Sequence, residues 1–183
     1  MSKNDFERFL ADQKRHEVKG FDAEKQLREW RNLLTTLYQN IKNYMQPYVS
    51  QGLAVISNKD IELNEDFSGP YTVQQLILQV GNSVVMFKPI GTMLIGSKGR
   101  VDVQGPRGTV RLTLVDKKVK SARDLIKITT TILSPGQELA PPPEPERREI
   151  EWTWKIASGP PSMTFTDLNE TTFFDVILSV VNV

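Results

Sequence analysis

The sequence predicts an α+β domain in which an antiparallel β-meander of about six strands packs against a long N-terminal helix and a C-terminal helix. Three observations predict it. Between Leu27 and Tyr48 apolar residues recur at alternating spacings of three and four. From residue 53 the period drops to two, in β-branched runs broken by glycine-containing turns. The closing stretch TDLNETTFFDVILSVVNV returns to a helical period. No internal repeat or linker divides the 183 residues, so the chain is expected to be one domain, 1–183, with a helical part at 1–50, a sheet at 53–157 and a helix at 167–182. A chain of this length buries about 70% of the surface its unfolded form exposes, so no disulfide or metal is needed to hold it together.

Residues 5–18 predict a short helix with Phe6, Phe9 and Leu10 on one side, closed by Gly20. Asp22 is the expected N-cap of the long helix, and Pro47 and Gly52 its expected end. The stripe Leu27, Trp30, Leu34, Leu37, Ile41, Tyr44, Tyr48 has heptad spacing, which fits a seam for a partner or a second copy with Trp30, Leu34, Leu37 and Ile41 in contact. Leu33, Tyr38 and Met45 widen that stripe and favour docking on the chain's own sheet.

Strands are expected at 71–80 and 83–90, joined by Gly81-Asn82, and at 99–104 and 109–115, around Gly105-Pro106-Arg107-Gly108. Two more are expected at 124–133 and 149–157, separated by the extended, exposed excursion SPGQELAPPPEPERR. In the last strand Ile150, Trp152, Trp154 and Ile156 share a face expected to pack beneath Trp30. Glu151, Thr153 and Lys155 share the other, and Arg111, Lys127, Thr129 and Thr131 are expected on the wet side of the sheet. In the final helix Asp167 and Glu170 have capping-box spacing, and Leu168, Thr171, Phe174, Leu178 and Val181 follow one face.

Composition narrows the chemistry. Cysteine is absent, which removes disulfides, thiolate metal sites and thiol catalysis. His16 is the only histidine, so a catalytic triad or multi-histidine metal site cannot be assembled within one chain. No metal or cofactor is expected. The charged N-terminus lacks a signal-peptide core, and no window approaches the roughly eighteen apolar residues of a membrane span. These features predict a cytoplasmic protein without a membrane partner. Net charge is +1, but residues 98–127 hold nine Lys/Arg against three Asp, and residues 128–183 hold three basic residues against eight acidic ones.

The segment from Gly91 to Lys118 invites three chemistries. A phosphate loop fails on order, because that motif needs Lys directly after its second glycine and the chain has Gly96-Ser97-Lys98, with Met93, Leu94 and Ile95 expected to be buried. A Mg²⁺-dependent nuclease would use Asp102, Asp116 and Lys118 in an Asp…(Asp/Glu)-x-Lys layout. Register opposes it. A four-residue turn at 105–108 pairs Gln104 with Thr109, Val103 with Val110, Asp102 with Arg111 and Val101 with Leu112. Asp116 then lies on the other face from Asp102, roughly 17 Å along the strand, and Arg111 is the expected ion-pair partner of Asp102. What remains is a basic hairpin with Arg100, Arg107, Arg111, Lys117, Lys118 and Lys120 as candidate binding residues. It could follow a nucleic-acid backbone, though no aromatic residue lies among them to stack on bases.

The leading expectation is a non-enzymatic interaction protein, an accessory, regulatory or immunity-type subunit that binds a protein partner or a second copy of itself. The alternatives are the nuclease and a small-ligand carrier whose curved sheet and long helix enclose a cavity.

Overall fold

The computed structural model describes residues 22–66, 68–92, 97–125, 150–159 and 162–181. Helix α1 (Ala23–Ser50) begins at its expected cap, where the Asp22 carboxylate accepts the Lys25 N–H at 2.9 Å. It runs through Pro47 instead of stopping there. Proline removes one helical hydrogen bond so close to the end that only the last turn is affected. The stop is set by Gly52 at φ +71°, with Leu53 N–H bonded to Tyr48 O and Gly52 N–H to Val49 O, a left-handed C-terminal cap.

Seven strands follow: β1 (Ala54–Glu65), β2 (Gly69–Val80), β3 (Ser83–Gly91), β4 (Gly99–Gly105), β5 (Gly108–Asp116), β6 (Trp152–Ala157) and β7 (Phe165–Asp167). A single turn, α2 (Ala122–Leu125), lies between β5 and β6, and α3 (Glu170–Val181) ends the described chain. The strands form one antiparallel sheet in chain order, so the meander has seven members where about six were expected. The additions are β1 and the three-residue β7. The register between β4 and β5 is the expected one: Val101 faces Leu112, Asp102 faces Arg111 and Val103 faces Val110.

Three local expectations are corrected. Asp124 and Leu125 belong to α2 and not to a strand, because the Asp124 carboxylate accepts the Lys120 and Ser121 N–H groups at 2.8 Å each and closes a turn. Asp167 does not cap α3. It stays extended in β7, and Asn169 caps instead, exchanging bonds with Thr172. The buried face of α3 therefore shifts to Phe173, Val176, Ile177 and Val180, which leaves Leu178 in solvent. Lys155, expected on the wet side, is 3% exposed, because the chain after β5 and strand β7 fold over it. Its ammonium donates to Lys117 O at 2.7 Å and pairs with Asp167 at 2.8 Å. The expected helix at 5–18, the whole of the proline-rich excursion, residues 126–133 of the expected 124–133 strand and Met93 to Ile95 lie outside the described residues.

α1 lies across one face of the sheet. Trp30, Leu34, Leu37 and Ile41, the residues of the partner-seam expectation, are all buried in the core with Tyr38 and Met45. This is the internal docking that the widened stripe favours. Against them stand Leu76, Leu78, Val85, Phe87, Val101, Val103, Leu112 and Leu114, with Phe173 and Val180 of α3. Trp154 packs on Trp30 with ring centroids 6.0 Å apart and donates its indole N–H to Leu33 O.

β3 pairs with β2 only across Leu76–Val80, so the first half of β2 has no strand on that side. α1 substitutes for it. Arg31 donates to Thr72 O at 3.3 Å and the Tyr38 hydroxyl to Gln74 O at 2.8 Å, which satisfies carbonyls that a strand would have taken.

Trp30 lies against the backbone of Gly99: a Cβ added there would stand 2.1 Å from the indole ring. Gly99→Ala is expected to lower stability by about 1–3 kcal/mol through overpacking. Trp30→Phe in the same chain should recover part of the loss, as read by urea denaturation of the two single variants and the double variant. Additive losses would mean that the two residues do not press on each other.

Candidate interaction surfaces

Asp102 is a buried charge on the sheet. β4 places it between Lys88 of β3 and Arg111 of β5, on the face away from α1. Its ion-pair partner is not Arg111. Arg100, two residues earlier and therefore on the same face, binds it through Nε at 2.6 Å and Nη2 at 2.7 Å. The forked guanidinium meets both carboxylate oxygens at once, a geometry that Arg111 on the neighbouring strand does not reach. Asp102 is 7% exposed, so the pair is largely withdrawn from solvent.

Asp116 ends β5 on the opposite face, opposite Trp152, five residues beyond the partner of Asp102 and roughly 17 Å along the strand. Its carboxylate accepts the Lys118 N–H at 3.0 Å and stabilises the turn out of β5. The residues of the nuclease arrangement, Asp102, Asp116 and Lys118, are therefore not brought together. Among the described residues no cluster of three or more carboxylates and imidazoles is placed to hold a metal ion. The centre of the space between α1 and the sheet is packed with Trp30, Leu37, Ile41, Phe87 and Phe173, and at its sides are open clefts of about 220 Å³, by Tyr38 and Val73, and about 150 Å³, by Tyr44 and Trp154.

The basic segment divides into spent and free charges. Lys98 pairs with Glu29 of α1, which holds that carboxyl below its ordinary range, and its ammonium lies 5.3 Å from the Trp152 ring centroid. Arg100 is committed to Asp102, and Lys117 pairs with Glu151 at 2.8 Å. Arg107, Arg111 and Lys118 are exposed and have no ion pair among the described residues, and Lys120 is exposed beside Asp124. The hairpin tip is docked, since the Arg107 N–H donates to Val180 O at the end of α3. Trp152 and Trp154 face α1 and are not a free stacking platform.

Two surfaces had no sequence signal of their own. The first is an apolar groove of about 360 Å³ where the end of α1 meets α3, lined by Tyr48, Leu53, Val80, Phe174, Leu178 and Val181. Leu53 is 57% and Leu178 51% exposed. The second is a polar network at the far end of β1. The Tyr71 hydroxyl donates to Glu65 at 2.5 Å, the Thr92 N–H donates to the other Glu65 oxygen at 2.7 Å, and Gln26 of α1 donates to the Thr92 hydroxyl at 2.8 Å. Tyr71 alone in a strand, or Glu65 at the end of one, signals nothing until the fold joins them.

Burial raises the phenols of Tyr38 and Tyr71 well above their ordinary value, and the Glu65 carboxylate adds to the effect at Tyr71. A raised pKa in the fold means that stability is fully present below the unfolded phenol value of about 10 and is lost as pH rises above it. Alkaline unfolding followed by near-ultraviolet absorbance should show these two tyrosines ionising only with loss of the fold, and Tyr71→Phe should remove one of them from that step. Asp102→Ala is expected to cost about 1–3 kcal/mol in urea denaturation, because it strands the Arg100 guanidinium. Comparison with protein-family models, with curated proteins and with solved structures finds no match to this chain.

Proposed function

We propose that this chain is a non-enzymatic interaction protein, an accessory, regulatory or immunity-type subunit whose surface binds another macromolecule. The observation that carries the proposal is the apolar groove between the end of α1 and α3. Tyr48, Leu53 and Leu178 stand exposed around it, beside Val55 at the start of β1. Large side chains that neither pack inward nor scatter singly are the usual mark of a protein-binding surface. The groove has rigid walls. Tyr48 meets Phe174 edge to face at 5.7 Å, and Phe174 meets Phe173, which is itself fixed in the core. An apolar anchor from a partner would be held by a preformed pocket and lose little by ordering it.

The untagged protein purified from its native host is expected to carry a macromolecular partner. Reconstitution with Leu178→Glu or Leu53→Glu should weaken that complex by about tenfold or more. Both side chains are exposed, so their unfolding midpoints should stay within about 0.5 kcal/mol of the parent. A chain that purifies alone, or a complex indifferent to both substitutions, would count against this assignment.

A further inference from the structure

We propose that the outer face of β3, β4 and β5, the side away from α1, is a docking groove for an acidic segment of a protein partner that also carries apolar residues. The inference rests on the interaction reading above and adds a second surface with its own chemistry. Val84, Met86 and Lys88 alternate along β3 with Val85 and Phe87, which are buried beneath the helices. Val84 is 46% and Met86 37% exposed, and no element among the described residues covers them. Beside them is an open groove of about 610 Å³, lined by Val84, Met86, Gln104, Pro106 and Thr109 and walled by the β2–β3 and β4–β5 turns.

The charge around this groove has one sign. Lys88 lies two residues from Met86 on the same face, Arg111 two residues from Thr109, and Arg107 next to Pro106. All three are exposed and have no ion pair among the described residues. The acid nearest by register is Asp102, between Lys88 and Arg111, and both of its oxygens are held by Arg100. Lys88 and Arg111 stand two strands apart, about 10 Å at the usual strand spacing. Carboxylates on either side of an apolar residue would meet both cations while that residue covers Met86. A polynucleotide suits the groove less well, because its floor is aliphatic and no aromatic ring stands on this face of β3, β4 or β5 to stack on bases.

The test is selection of a random peptide library, displayed on phage, against the full-length chain, followed by fluorescence anisotropy with an enriched peptide. The expected result is enrichment of net-negative peptides containing aliphatic or aromatic residues. Their affinity should fall with added salt and drop about tenfold or more for Lys88→Glu combined with Arg111→Glu. If the charge-reversed chain misfolds, Lys88→Gln combined with Arg111→Gln should show a smaller loss in the same direction. Neutral or basic peptides, no enrichment, affinity unchanged in the charge variants, or displacement of the peptide by a lower concentration of a single-stranded oligonucleotide would each overturn the proposal. A native complex that is lost with Leu178→Glu but persists in the Lys88 and Arg111 variants, with no acidic peptide selected, would sink this groove and leave the interaction reading standing.

Discussion

The placement of α1 depends on one contact, the indole of Trp30 lying on the bare backbone of Gly99. An added methyl group at that position would overlap the ring, so a side chain at residue 99 would force the helix and the sheet apart. Trp154 packs against the same indole, and Lys98, the residue before Gly99, reaches Glu29, the residue before Trp30. Helix and strand are therefore held at adjacent residues by packing and by charge. With α1 seated, Arg31 and Tyr38 reach the open carbonyls of β2, and Gln26 joins the network around Glu65 and Thr92. These contacts supply partners to β2 carbonyls beyond its last pairing with β3, at Leu76 and Phe87.

The sheet is covered unequally. Both long helices pack on one face and build the main core. On the other face, among the described residues, a small cluster forms, Val115, Val119, Ala157 and Phe165, where the chain after β5 and the approach to β7 fold back. That partial cover explains a lysine with almost no exposure on a face that is wet elsewhere, since the ammonium of Lys155 finds Asp167 and Lys117 O within the cover. A buried charge is tolerated only with such partners. Beyond the cover, at β3, β4 and β5, the face returns to solvent. Among the described residues the acid on this part of the face is Asp102, already held by Arg100, and Lys88, Arg107 and Arg111 have no ion pair there.

Helix α3 links the two exposed surfaces. Its buried residues sit beneath Phe87 and close the core, its outward Leu178 forms part of the apolar groove, and its last carbonyls receive the β4–β5 turn through the Arg107 N–H.

Local periodicity was enough to determine the helix–meander–helix order, the N-cap at Asp22 and the pairing of Val101 and Val103 with Leu112 and Val110. Each depends on residues close in sequence, or on a short turn that permits one register. It also sufficed to separate Asp102 from Asp116, because alternation and strand rise follow directly from register. The tertiary structure alone decided which of two nearby caps starts α3, and hence which of its faces is buried, because Asp167 was taken by a lysine twelve residues earlier. It decided that Arg100 and not Arg111 neutralises Asp102, since the reach of a guanidinium fork is set by side-chain geometry and not by strand pairing. The apolar groove between α1 and α3 had no signal in the chain, because it joins residues as distant as Tyr48 and Leu178. Of the outer-face groove only the basic hairpin with Arg107 and Arg111 was legible, and the exposure of Val84, Met86 and Lys88 beside it depends on which neighbours the fold brings over them.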